Sequence, residues 1–309
     1  MPSFQDFYFQ SSTGRTSIHA LKCVPDGKPR AVVQIAHGIA EHIDRYKPFM
    51  EFLANNGFVV AGNDHLGHGK SIRVPAEQGF FAEKDGWWRV VDDMDKLHDI
   101  MSKEYPELPY VLFGHSMGSF LTRTYLIKHP DKYDAVILSG TGHQSPALVL
   151  GGNAAASVMA KLNGAMGDGS KLDSLAFGTY LSKIENPRTK FDWLSRDAEQ
   201  VDKYIADPLC GFVGKIGLYR DMMQGIKFIT NEKNIAQMNK EKPVYFMSGD
   251  GDPVGDYGKG VERAYKAFCD AGLHDVFMRL YPGGRHEMLN ETNKEQVYQD
   301  ILNWLNEKI

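Results

Sequence analysis

Gly114-His115-Ser116-Met117-Gly118 sets a serine between two glycines. Before it runs Tyr110-Val111-Leu112-Phe113, a short apolar stretch of β character, and after it Ser119 to Leu126 reads as a helix. A Gly-x-Ser-x-Gly between strand and helix is the pattern of a nucleophile elbow, a turn so sharp that it lifts the serine hydroxyl clear of the sheet. Glycine on either side removes the Cβ atoms that such a turn cannot hold. The chemistry on offer is nucleophilic attack by Ser116; the bland alternative is a glycine-rich turn with an idle serine.

A serine hydroxyl is a weak nucleophile at neutral pH and needs a base, which in turn needs an orienting acid. Where an elbow carries the nucleophile, the order along the chain is Ser, then Asp or Glu, then His. Two late β-type runs are placed to supply the partners. After Phe246-Met247-Ser248-Gly249 come Asp250, Asp252 and Asp256. After Leu280-Tyr281 comes Pro282-Gly283-Gly284-Arg285-His286-Glu287, and His286 is the only histidine beyond the final run. His286 is therefore the expected base. Asp252, with Pro253 stiffening the turn behind it, is the preferred acid. Asp250, directly after the strand, is its rival, and Asp256 is close by.

A tetrahedral intermediate needs two preorganised donors for its oxyanion. The N–H of Met117, next after the nucleophile, is one candidate. The other comes from the loop after Ala31–Ala36, His37-Gly38-Ile39-Ala40, where the N–H of Ile39 is the candidate. No cofactor is needed for this chemistry. Asp64, His65 and His68 lack a further ligand at metal-binding spacing, so no metal is expected there. Glu41, His42 and Arg45 are read as ordering the oxyanion loop, with contact to a polar substrate group as the alternative. Trp87-Trp88, at a helix start, are read as core anchors rather than a binding platform.

These groups need a scaffold. Buried-type strands are expected at Ala31–Ala36, Phe58–Gly62, Tyr110–Phe113, Ala135–Leu138, Pro243–Ser248 and Val276–Tyr281, with an early antiparallel strand at Ser17–Val24. Helical spacing recurs over Tyr46–Asn55, Trp87–Tyr105, Gly260–Asp270 and Thr292–Ile309. Strands alternating with helices imply a mainly parallel sheet covered on both faces. From Thr141 to about Met238 the alternation lapses, which is too long for one crossover. It is read as a mostly helical cap, residues 141–238, inserted into a core made of residues 1–140 and 239–309. The early cap, Ala147–Gly169, is rich in Gly, Ala and Met, a pliable apolar surface. It is expected to form a lid over a lipid-chain pocket, in transient contact with membranes or micelles; a poorly ordered connector is the alternative.

The 309 residues suffice for one large domain with an insertion. A net charge of −4 offers nothing for nucleic acid to recognise. The longest apolar candidate, Pro146–Ala160, is broken by Gly151, Gly152 and Asn153, so no transmembrane segment is expected. The first residues lack a basic and an apolar leader region, and three scattered cysteines argue against a disulfide framework. A cytoplasmic location is the expectation.

Several segments together resemble one family. His37-Gly38-Ile39-Ala40-Glu41-His42-Ile43-Asp44-Arg45-Tyr46 and Asp64-His65-Leu66-Gly67-His68-Gly69-Lys70-Ser71 resemble the corresponding segments of monoacylglycerol lipases and their lysophospholipase-like bacterial relatives. The Gly114–Gly118 elbow, Gly249-Asp250-Gly251-Asp252 and Gly284-Arg285-His286-Glu287 fit the same group, over residues 15–140 and 240–309. The resemblance implies the α/β-hydrolase fold, with a mainly parallel eight-stranded sheet. It also implies a serine esterase or lipase acting through an acyl-enzyme on a small, lipid-like acyl ester. Carried over by position, it assigns Ser116, Asp252 and His286 to the triad, and Ile39 and Met117 to the oxyanion donors. Ile39 and Ala40 stand where the animal enzymes carry smaller residues, which implies a narrower acyl entrance. Amide hydrolysis of the proline-aminopeptidase type, thioester hydrolysis and a non-catalytic hydrolase-like binding protein are the alternatives.

Overall fold

The computed structural model describes residues 1–309. The core elements run β1 (Ser3–Gln10), β2 (Ser17–Val24), β3 (Ala31–Ala36), α1 (Lys47–Asn55), β4 (Phe58–Asn63), α2 (Gly86–Glu104), β5 (Tyr110–His115), α3 (Met117–Lys128) and β6 (Ala135–Ser139). Five helices follow: α4 (Pro146–Asn163), α5 (Ser170–Phe177), α6 (Ala198–Ala206), α7 (Ile216–Ile229) and α8 (Glu232–Ile235). The chain then returns through β7 (Val244–Gly249), α9 (Lys259–Asp270), β8 (Val276–Tyr281) and α10 (Lys294–Lys308).

The eight strands form one sheet in the order β1-β2-β4-β3-β5-β6-β7-β8, antiparallel at β1, β2 and β4 and parallel from β4 to β8. This is the α/β-hydrolase fold. β3, β5, β6 and β7 are buried along their whole length and rich in β-branched and aromatic residues, because helices cover both faces. The period of two sorts their side chains. Leu112, Val136 and Phe246 pack under α2, α3 and α9, whereas Val111, Phe113, Ile137 and Tyr245 pack under α1 and α10.

β1 is absent from the expected set of strands. It is an edge strand, paired only with β2, and of its eight residues only Phe7 and Phe9 are half-buried. Such a strand carries no continuous apolar run for periodicity to detect.

Register brings the functional loops together. Ala36 pairs with Gly114, His115 with Ser139, Ser139 with Met247 and Gly249 with Tyr281. The loops after β3, β5, β6, β7 and β8 therefore leave one edge of the sheet, the carboxyl ends where open α/β sheets build their sites. Between Ser139 and Val244 no strand forms, only an isolated bridge of Asp168 with Lys215. The Gly- and Ala-rich stretch after Pro146 is the helix α4. No helix is long and apolar enough to cross a membrane.

Candidate active site

Ser116 sits between β5 and α3 with φ 53° and ψ −122°, a conformation that costs a non-glycine residue about 1–3 kcal/mol and persists only where its surroundings enforce it. The enforcement is visible. Ser116 N–H donates to Ser139 O at 2.9 Å, and Ser116 O accepts from Ser119 Oγ at 2.6 Å. A Cβ at Gly118 would lie 2.0 Å from Ala36 O, so α3 can lie this close to β3 only with glycine there.

His286 is buried in the loop after β8, and its Nδ1 donates to Asp252 Oδ2 at 2.9 Å. That fixes the tautomer and leaves Nε2 as the basic nitrogen. Asp252 is fully buried after β7; its other oxygen accepts from Val254 N–H at 2.9 Å, and Ser248 Oγ donates to Oδ2 at 3.2 Å. Asp250 faces outward and accepts from Gly283 N–H, while Asp256 pairs with Arg263 on the surface. Of the three aspartates, only Asp252 meets the histidine. The His286 ring packs on His115, the neighbour of Ser116 in the chain, with centroids 4.7 Å apart. A Cβ on Gly140 would lie 2.9 Å from His286 Cε1, so the loop after β6 backs the ring closely.

Met117 opens α3, so its N–H belongs to the first turn, whose amides have no carbonyl within the helix. Ile39 lies beyond Gly38 in a loop held from below and from one side. His37 Nδ1 donates to Gly38 O at 2.8 Å, and Glu41 Oε1 accepts from Gly38 N–H at 2.6 Å. Ala40, at φ 53°, is held by two donors to its carbonyl, Gly211 N–H and Tyr204 Oη, each at 2.9 Å. A Cβ on Gly38 would stand 3.2 Å from Ser116 Cβ, which places this loop against the nucleophile.

A family model described as "Serine aminopeptidase, S33" matches residues 27–293. A monoacylglycerol lipase of Mycolicibacterium smegmatis is 30% identical over 91% of this chain and 90% of its own. The human monoglyceride lipase is 27% identical over 92% and 85%. Among solved structures, a thermostable carboxyl esterase from Bacillus coagulans in complex with glycerol superposes with a TM-score of 0.92 at 32% identity, covering 99% of both chains. The chain belongs to the family that model describes, Serine aminopeptidase, S33. It is a serine hydrolase of the esterase and lipase type.

Electrostatics in the hydrolase favour a charged His286 and neutral histidines at His115, His37, His65 and His68. Burial pulls the His286 imidazole down, but the Asp252 carboxylate and its hydrogen bond, with Glu287 and Glu41 behind, hold it above the ordinary 6.5. His115 is pushed down to about 4 by burial and by His286. Burial takes His65 to about 3 and His68 to about 4. His65 lies against His37, which is likewise well below the ordinary range, so these rings serve the oxyanion loop as neutral donors and acceptors. Asp64 accepts from Ile43 and Lys70 N–H and pairs with His19, a structural brace for the same loop. Trp87 is fully buried and donates to Thr124 Oγ1.

Sequence reasoning did not single out Trp193, Glu287 or Glu291 for the site. The Trp193 ring packs on His286 at 5.1 Å. Glu287 holds the Arg45 guanidinium with both oxygens at 2.7 Å. Glu291, fully buried, accepts from Arg285 N–H, Arg196 N–H and Arg196 Nε at 2.9 to 3.0 Å. Their partners lie up to 242 residues away in the chain, beyond the reach of any local pattern. Trp193 carried a signal of a kind, being the lone tryptophan between β6 and β7.

Proposed function

We propose that this protein cleaves monoacylglycerol-like esters through an acyl-enzyme, with residues 141–238 as the cap that receives the acyl chain. Ser116 Oγ attacks the ester carbonyl while His286 Nε2 takes its proton. Asp252 holds the imidazole and stabilises its charged form. The amides of Ile39 and Met117 receive the developing oxyanion. His286 returns the proton to the departing alcohol, and water then attacks the acyl-enzyme with His286 again as base.

What carries the reading is the buried His286–Asp252 pair, its imidazole packed on His115, the residue before a serine held at positive φ. The substrate class rests on a cavity of about 250 Å³ between the oxyanion loop and the cap. Ile39, Phe177, Leu181, Trp193, Phe212 and Val213 give it an apolar wall. Ile39 and Trp193 also join it to the reacting groups, since one offers the oxyanion amide and the other packs on the base. An apolar slot beside a polar reaction centre fits one fatty acyl chain. A peptidase would need a carboxylate aimed at a free amine. The lining carboxylate Asp173 accepts from Tyr219 Oη, and Asp192 and Asp197 are used by their own loop and helix cap. The exposed apolar side of α4 (Leu148, Leu150, Val158, Leu162), with Lys161 as its only charge, supports contact with lipid surfaces.

The test is a fluorophosphonate label mapped by peptide, combined with a panel of monoacylglycerols, nitrophenyl esters, lysophospholipids and aminoacyl arylamides. Ser116 should take the label, Ser116→Ala should fall to the background rate, and monoacylglycerols should lead the panel. Turnover surviving in clean Ser116→Ala protein would end the triad reading; rates indifferent to acyl length from C2 to C16 would end the cap reading.

A further inference from the structure

Three of the groups behind the site form a buried ion cluster that joins two loops from opposite ends of the chain. Glu41, on the oxyanion loop, accepts from Gly38 N–H at 2.6 Å and from Tyr46 Oη at 2.8 Å. Its second oxygen meets Arg45. The Arg45 guanidinium then turns its fork to Glu287, with Nη1 and Nη2 each 2.7 Å from a carboxylate oxygen, and Glu287 directly follows His286. Asn290 Nδ2 donates to Glu287 at 2.9 Å, and the face of Arg45 lies 4.8 Å from the Tyr204 ring. Both glutamates are under a tenth exposed.

Two features set this cluster apart from an ordinary structural ion pair. It is bidentate on one side and shared on the other, so the positions of the two loops are not independent. It also sets two buried carboxylates against one guanidinium, an excess of acidic groups in the loop that carries His286 and in the loop facing it.

We propose that Arg45 is a positioning residue that locks the oxyanion loop to the base loop, and that the surplus charge on Glu41 and Glu287 helps stabilise the His286 imidazolium during turnover. The charged or titratable groups facing His286 are Asp252 from the β7 loop, Glu287 from its own loop, Glu41 from the oxyanion loop and His115 from the elbow. The three carboxylates favour the protonated ring, while His115, itself pushed down by His286, stays neutral where His286 titrates. Glu287 itself is driven down to about 2, for although burial pulls it up, Arg45 outweighs that, so it is ionised throughout the working range. The proposal rests on the triad reading above.

The experiment compares kcat, KM and the acidic limb of kcat/KM on a short soluble ester for wild type, Glu287→Gln and Arg45→Lys, each normalised to sites titrated by fluorophosphonate. Glu287→Gln keeps the shape and removes a charge that favours protonated His286. Its limb should move to lower pH by about half a unit, with kcat about tenfold down and KM little changed. Arg45→Lys keeps the charge but loses the fork; kcat should fall about tenfold with the limb unmoved. A merely structural cluster would lower the melting temperature and leave limb and kcat per titrated site where wild type has them, which would overturn the proposal. Should Glu287→Gln fail to fold, Arg45→Lys decides: wild-type kcat per site would overturn the lock. A wild type that takes no label at Ser116 would instead strike the triad reading, so the two failures are distinguishable.

Discussion

Between Ser139 and Val244 the chain meets the rest of the molecule in two ways. From Asp192 to Gly211 it is bound by polar contacts. Glu287 N–H donates to Leu194 O at 2.7 Å, Ser195 Oγ to Asn290 O at 2.8 Å, and Arg285 to the carbonyls of Asp192 and Ser195. Arg196 meets Glu291, Asp207 meets His42 at 2.8 Å, and Gly211 meets Ala40. Those partners belong to the base loop or to the oxyanion loop. From Pro146 to Asn163 the picture reverses. α4 rests on α7 through Val149 and Ala156, and turns Leu148, Leu150, Val158 and Leu162 outward, 56 to 76% exposed. One stretch of the segment is thus fastened to the loops that carry Ile39 and His286, while another, α4, presents an unpartnered apolar face. On the function proposed above, the first stretch would brace the catalytic frame and the second would be a surface for substrate capture.

Removing the anchors of His286 one at a time tests that division. The core-side anchor should matter most. Asp252→Asn leaves the shape but takes away the charge that orients and stabilises the imidazolium, and kcat should fall about 10⁴-fold. The sign of its pH effect follows from the same interaction. His286 must be neutral to act as base, and its protonation is favoured in the wild type, so kcat/KM should rise with pH through a value above 6.5 and be lost below it. In Asp252→Asn the residual activity should show that limb at lower pH. A limb below 6.5 in the wild type, or one unmoved in the variant, would contradict the assignment.

The insertion-side anchor comes next. Glu291→Ala would strand the amides of Arg285 and Arg196 without their acceptor and free the Arg196 guanidinium. About 3 kcal/mol of stability should go, and kcat about 100-fold, because the loop that aims His286 would no longer be fixed. Denaturant unfolding and kcat on a soluble ester measure both. Lost stability with kcat unchanged would show that residues 192–211 are scaffold only. Trp193→Ala should act more mildly, lowering kcat/KM about tenfold, whereas Trp193→Phe, which keeps a ring over His286, should keep most of it.

The same division explains what was legible in the chain beforehand. β3, β5 and the turn after it are written locally, in apolar runs that end at glycines, and Ser116 lies between β5 and α3 as that pattern expects. Asp250, Asp252 and Asp256 have the same turn-forming chemistry within seven positions. What distinguishes them is that β7 and β8 pair through to Gly249 and Tyr281, which spends Asp250 on Gly283 and turns Asp252 inward. β1 was illegible because an edge strand buries too little to leave a pattern. The bonds of residues 192–211 were illegible because each joins positions about ninety or more apart, and a lone arginine or glutamate in a loop does not declare its partner.

The smallest change in intrinsic turnover should come from the other end of the segment. Replacing Leu148, Leu150, Val158 and Leu162 together by serine touches no group near His286 and removes apolar surface that already faces solvent. Stability and kcat on a soluble nitrophenyl ester should stay within about twofold. On micellar or vesicle-borne monoacylglycerol the outcome should differ, because partial insertion of four such side chains is worth several times RT. Binding to lipid should weaken about 100-fold, with KM rising and kcat retained. An equal loss on soluble and aggregated substrate would mean that α4 shapes the site itself, and the contrast between the two halves would fail. A loss confined to aggregated substrate, set beside Glu291→Ala acting on both, would separate capture from chemistry within one inserted segment.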